Sequence, residues 1–235
     1  MTASEILQQL EAFGDAQTKK TLMRHGAKEP FFGVKVADLK QILKKTKKNH
    51  ELSLELYKTG NSDAMYLAGL MADEKKISKE QLETWADQAY WSYLSEYTVP
   101  WVASETPFGF ELGLQWIQSK EERIAAAGWS TLASYAEVHE DQDLDLEAYR
   151  NLLDRIGNDI HSAQNRVRYS MNRFVISIGI FVQPLTEKSK EIATKIGIVT
   201  VDMNGTACKI PVATDYIQKG MDLGRSGKKR KTARC

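Results

Sequence analysis

Apolar residues return along this chain at the three- and four-residue spacing of helices that bury one face, and short polar or glycine-bearing breaks divide them into many segments. Glu5, Leu7, Leu10 and Phe13 open the first helix, and residues 17–25 form a second that stops at Gly26. Residues 29–33, Glu-Pro-Phe-Phe-Gly, read as a loop. Val36, Leu39, Ile42 and Leu43 line one side of a third helix whose other side carries Lys40, Lys44, Lys47 and Lys48. Further helices are expected over residues 51–58, 62–72 and 78–89, the last with Ser78 and Gln81 spaced as a capping box. Beyond residue 101 the pattern predicts helices at 111–118, 120–136, 146–156 and 163–181, and another starting at Pro184. The pattern changes only near the end. Residues 198–201 and 207–210 flank Asn204-Gly205 and predict a small hairpin, followed by a short helix over 213–221.

Short helices with one apolar face each need neighbours to cover that face. Their succession predicts an all-α fold, an α-solenoid of HEAT-like antiparallel helix pairs. Residues 1–196 are read as this repeat domain, residues 197–223 as a hairpin and short helix appended to it, and residues 224–235 as a basic tail.

One stretch departs from simple amphipathicity. Residues 89–101 place Glu96 among Tyr90, Trp91, Tyr93, Tyr97 and Trp101, with Pro100 four positions on. Pro100 has no N–H to give to the Glu96 carbonyl, so a helix here must bend or restart. An acid among aromatic rings is partly desolvated, which suits it to meet a cation or a developing positive charge. A surface acid beside a proline kink is the plainer alternative.

Composition narrows the chemistry. With 235 residues and 42% hydrophobic content the chain can bury a substantial core. Cys208 and Cys235 lie apart and fit no ligand spacing, which points to a reducing compartment. No basic-then-apolar leader is visible, and the longest apolar run, residues 174–182, is too short for a bilayer, so a soluble, cytoplasmic protein is expected. The four histidines show no metal spacing, and there is no Walker loop, strand-linked glycine fingerprint or nucleophile elbow. Neither a metal nor a cofactor is expected. The net charge of +1 hides a polarised molecule: Arg225, Lys228, Lys229, Arg230, Lys231 and Arg234 stand in the last dozen residues without an acid, leaving about −5 for the remainder. On the helix over 163–181, Arg166, Ser170 and Arg173 share a face away from the core stripe of Val167, Met171, Phe174 and Ile178. Two arginines so placed suit a phosphate backbone, or acids on a neighbouring helix.

Residues 32–40, the Glu96 helix ending in Val99-Pro100, the segment Arg123-Ile-Ala-Ala126 and the stretch 166–173 together resemble the AlkD-like DNA alkylation repair family of HEAT-repeat DNA glycosylases, over about residues 5–195. The resemblance implies a helical cradle for duplex DNA and release of cationic N3- or N7-alkylated purines.

 The expected partner is duplex DNA, damaged or distorted, with no membrane and with the protein acting as a monomer. Such a base is already a good leaving group, so one carboxylate that stabilises an oxocarbenium-like sugar and places water would suffice.

Carried over by position, the family's catalytic acid falls on Glu96 and its backbone-gripping arginine on Arg123; Arg166 and Arg173, from their shared helix face, and Trp91 and Tyr169, each one place before a position of the family's cleft tryptophans, are taken as nucleic-acid contacts. Lys228, Lys229, Arg230 and Lys231 of the tail are expected to seek phosphate. Ser92 and Ser170 stand where the family's two cleft tryptophans are expected, which removes their CH–π and cation–π contacts to a lesion. Three functions follow: an alkylpurine glycosylase, a non-catalytic binder of DNA structures, and a helical scaffold for proteins.

Overall fold

The computed structural model describes residues 1–235, and all its regular structure is helical. The helices are α1 (Ala3–Phe13), α2 (Ala16–Arg24), α3 (Val36–Thr46), α4 (His50–Lys58), α5 (Ser62–Met71), α6 (Lys79–Gln88), α7 (Val99–Ser104), α8 (Gly109–Trp116), α9 (Glu122–Val138), α10 (Leu146–Asp159), α11 (Asn165–Phe181), α12 (Thr186–Ile196) and α13 (Ala213–Asp222). None is long and apolar enough to cross a membrane.

Local chemistry sets many of the boundaries. Thr2 with Glu5 and Ser78 with Gln81 form reciprocal capping boxes, so two otherwise unpaired N–H groups are satisfied at the start of α1 and of α6. Asp15, Asn49, Asn61 and Asp145 cap α2, α4, α5 and α10 through their side-chain oxygens. At Pro184 the chain makes one 3₁₀ turn, Gln183–Leu185, before α12 begins.

The helices stack in two layers. α5, α7, α9 and α11 lie side by side in one, while α4 packs on α5, α6 on α7, α8 on α9 and α12 on α11. Two apolar clusters meet within α9, where Ala127 belongs to the cluster formed mainly by α1–α8 and Trp129 to the one formed mainly by α9–α13. α8 and α9 approach closely through glycines: a Cβ on Gly128 would lie 2.6 Å from the Ile117 backbone nitrogen.

Two expectations need correction. The hairpin does not form. Asn204 and Gly205 do make a turn with positive φ, at 56° and 68°, but no strands flank it. The backbone on either side is held by α11 side chains instead: Asn165 exchanges two hydrogen bonds with Asp202, at 2.7 and 2.9 Å, and the Asn172 amide donates to the Pro211 carbonyl. Val199 and Val201 are buried in the second cluster, so this arm is fixed by packing on the helices, and residues 207–209 are exposed.

The tail is no free arm either. It runs as a strap along the C-terminal ends of α11, α9, α7 and α5. The Gly227 N–H donates to the Ile180 carbonyl at 2.9 Å and the Arg230 N–H to the Glu137 carbonyl at 2.8 Å. The Ala233 N–H donates to Glu105 at 2.7 Å, and Arg234 reaches the Ala72 carbonyl at 2.7 Å. Cations at helix C-termini face the negative ends of the helix dipoles, and here they also find carboxylates. Ala233 is buried in the first cluster, whose other members all come before residue 128 in sequence.

Candidate nucleic-acid interface

Pro100 organises the site. Between residues 94 and 98 the chain makes a π-helical turn, with the Val99 N–H bonded to the Leu94 carbonyl, and α7 starts from there. The Glu96 carbonyl, left without the N–H of residue 100, accepts instead from Arg173 Nη1 at 3.2 Å. A second Arg173 nitrogen donates to Ser134 at 2.9 Å and lies 3.6 Å from Glu137, while its guanidinium rests 5.7 Å from the Tyr97 ring.

The Glu96 side chain is 1% exposed. Arg166 grips it with two bonds, Nε to Oε1 at 2.6 Å and Nη2 to Oε2 at 2.5 Å. Burial pushes the Glu96 carboxyl above its usual range, while the hydrogen bonds and charge of Arg166 and the charge of Arg173 pull against that rise. Burial likewise works against the Arg166 charge, but the bonds and charge of Glu96 outweigh it and hold the guanidinium further up. The Arg166 guanidinium lies 4.5 Å from the Tyr169 ring, and its Nη1 sits 3.3 Å from Met203 Sδ. Tyr169 meets Tyr97 through their hydroxyls at 3.2 Å. The acid that the sequence offers to an incoming cation has thus found one in its own chain.

Two adjoining cavities of 470 and 240 Å³ share Trp91, Ser92, Arg166, His25 and Asn204. Tyr97 and Tyr169 line the larger cavity and Arg123 the smaller, so both open beside the Glu96–Arg166 pair. Arg123 turns its guanidinium to the end of α6, donating to the Ala86 carbonyl at 3.1 Å, to the Asp87 carbonyl and to the Asp87 carboxylate. It works there as a C-terminal cap. Trp91 is buried, donating from its indole to Ser62 at 2.7 Å and stacking on Tyr93. Ser170 is also buried and faces Ser130 at 3.2 Å. Met203, Asn204, Cys208 and Lys209 line the larger cavity together with Thr21, Leu22 and His25 of the α2 region.

The structure therefore brings Glu96, Arg166, Tyr169 and Arg173 into one network, with Trp91 and Arg123 on the adjoining walls. In the strap, Lys229 pairs with Asp141 at 2.7 Å and Arg230 with Glu137 at 2.7 Å, whereas Lys228 and Lys231 are exposed. Sequence reading missed Tyr97 as a partner of Arg173, Glu137 as the acid joining α9 to the strap, and Met203 as a wall of the cleft. Tyr97 stood next to Glu96 and was open to inclusion; the other two are matters of distant contact.

Paired helices stacked in two layers, with arginines and aromatics gathered along the layer of α5, α7, α9 and α11, define a HEAT-like repeat protein. The chain belongs to the DNA alkylation repair enzyme family, whose pattern matches residues 6–188. It is 33% identical over 225 residues to uncharacterised proteins of Listeria innocua and Listeria monocytogenes, covering 93% of this chain and 97% of each of those. A solved structure reported as a new family of proteins related to the HEAT-like repeat DNA glycosylases with affinity for branched DNA structures superposes with a TM-score of 0.91, at 39% identity and over 100% of both chains.

Proposed function

We propose that the protein binds branched DNA through its cleft and does not excise bases. The observation that carries this reading is the closed Glu96–Arg166 pair: a carboxylate 1% exposed and gripped at both oxygens has no free edge for a sugar or a water. Freeing it would mean leaving one buried charge unpaired, which costs about 3–5 kcal/mol. Ser92 and Ser170 agree with it, since neither position offers a ring to a cationic base, and the Tyr169 ring nearby already carries the Arg166 guanidinium. The affinity of the structural relative for branched DNA supports the choice of ligand.

Glycosidic hydrolysis of N3- or N7-alkylated purines is the competing reading and is separated by one pair of measurements. Duplex DNA containing 7-methylguanine is followed for base release, and binding to a four-way junction is compared with binding to a linear duplex of equal length. The expected outcome is no enzyme-dependent release and tighter binding to the junction. Release that Glu96→Gln abolishes would reinstate the glycosylase.

A further inference from the structure

The strap divides its cations into two sets. Lys229, Arg230 and Arg234 turn to Asp141, Glu137, Glu74 and Glu105. Arg225, Lys228 and Lys231 are exposed and take part in no ion pair. Where the strap ends, at Arg234, lies the C-terminal end of α3. Lys48 there shares Glu74 with Arg234, and Leu43 and Lys48 line a 570 Å³ cavity together with Lys231 and Thr232. Lys44, Lys45 and Lys47 beside them are exposed and likewise unpaired. These two groups of free cations border one edge of the molecule.

That edge is not the cleft. Arg123, in the first turn of α9, and Arg166, in the first turn of α11, mark the cleft at the N-terminal ends of these two helices, whereas the strap crosses their C-terminal ends. Arg123 and the strap stand at opposite ends of the 17-residue α9, a rise of about 25 Å at 1.5 Å per residue, with Arg173 between them reaching Glu137, which the strap's Arg230 also holds. One duplex backbone lying in the cleft would leave this second edge free.

We propose that the edge formed by the last turn of α3 and the exposed cations of the strap is a second backbone-binding track, which holds another arm of a branched DNA. The proposal rests on the reading that the protein binds branched DNA. Its physical basis is order already present. A free tail would lose conformational entropy on meeting phosphate, but this strap is held by backbone hydrogen bonds and ion pairs before any ligand arrives. Its cations, with those of α3, meet phosphates without base contacts, so the track would sense where an arm lies rather than what sequence it carries.

The test is a quadruple variant, Lys44→Gln, Lys47→Gln, Lys228→Gln and Lys231→Gln, in the full-length protein. None of these side chains has an ion-pair partner to lose, so an unchanged unfolding midpoint checks the fold. Binding to a four-way junction and to a linear duplex is measured from about 50 to 200 mM salt. Each phosphate contact contributes about 0.9 to the log–log slope, so engagement of half the four charges predicts a slope shallower by about 2 on the junction. On the linear duplex the slope should not change. Equal losses on both DNAs, or none on either, would overturn the second track while leaving the branched-DNA reading in place. A wild-type protein with no preference for the junction would instead overturn that reading, and the track with it.

Discussion

At the scale of single residues, the behaviour of the site follows from where each charge finds its partner. Arg166 is the chief example, because its two bonds to Glu96 are the only direct compensation for a carboxylate almost wholly out of water. Arg166→Ala should therefore cost about 3–5 kcal/mol in urea denaturation, most of it the penalty of the stranded acid. Replacing both partners, Glu96→Leu with Arg166→Met, should recover much of that loss, since a well-packed apolar pair of similar volume is often no worse than a buried ion pair. If the double variant is as unstable as the single one, the pair acts through packing with Tyr169 and Met203 rather than through charge. Arg173 is tied differently, to a main-chain carbonyl that Pro100 leaves free. Ser134, Glu137 and the Tyr97 ring hold the rest of its guanidinium.

Between elements, contact is governed by how closely helices can lie. Gly128 faces Ile117 and Gly113 at the crossing of α8 and α9, where a Cβ would stand 2.6 Å from the Ile117 nitrogen and 2.9 Å from the Gly113 oxygen. Neither is a flexible side-chain end. Gly128→Ala should then destabilise by about 1–3 kcal/mol through overpacking, despite alanine's better helix propensity. Equilibrium denaturation gives the sign directly; a stabilised variant would mean that the two helices separate at little cost. The same crossing feeds the site, since α9 begins beside the cleft with Arg123 and ends at the strap with Glu137.

Across the whole molecule, the strap joins parts of the chain that the helical stack alone would leave apart. Arg234 is 8% exposed, donates to the Ala72 carbonyl at 2.7 Å and pairs with Glu74 and Glu105 at 3.0 and 3.1 Å. Arg234→Ala removes a cation shared by two partly buried acids, and a loss of about 2–4 kcal/mol is expected. For a chain of this size each kcal/mol corresponds to about 2–4 °C, so the midpoint of thermal unfolding should fall by several degrees. A shift below one degree would reduce the strap to a surface ornament without structural consequence.

The sequence by itself determined the helices, most of their boundaries and the stacked all-α architecture. These depend on local quantities: apolar spacing on one face, Ser78 and Gln81 as a capping box, and a proline that forbids one hydrogen bond. It also singled out Glu96, Arg166, Tyr169 and Arg173, which do meet. Only the tertiary structure decided what they do together. Whether Glu96 faces a substrate or Arg166 depends on how α11 lies against the π-helical turn, a contact across 70 positions of sequence. The hairpin failed for a related reason: a local turn signal at Asn204-Gly205 was satisfied, but α11 supplied hydrogen-bond partners that the second strand would have had to offer. The basic tail carried the same ambiguity. Charge and glycine content describe a segment free in water, and the acids Glu74, Glu105, Glu137 and Asp141 that hold it come together only when the helices that carry or precede them stack.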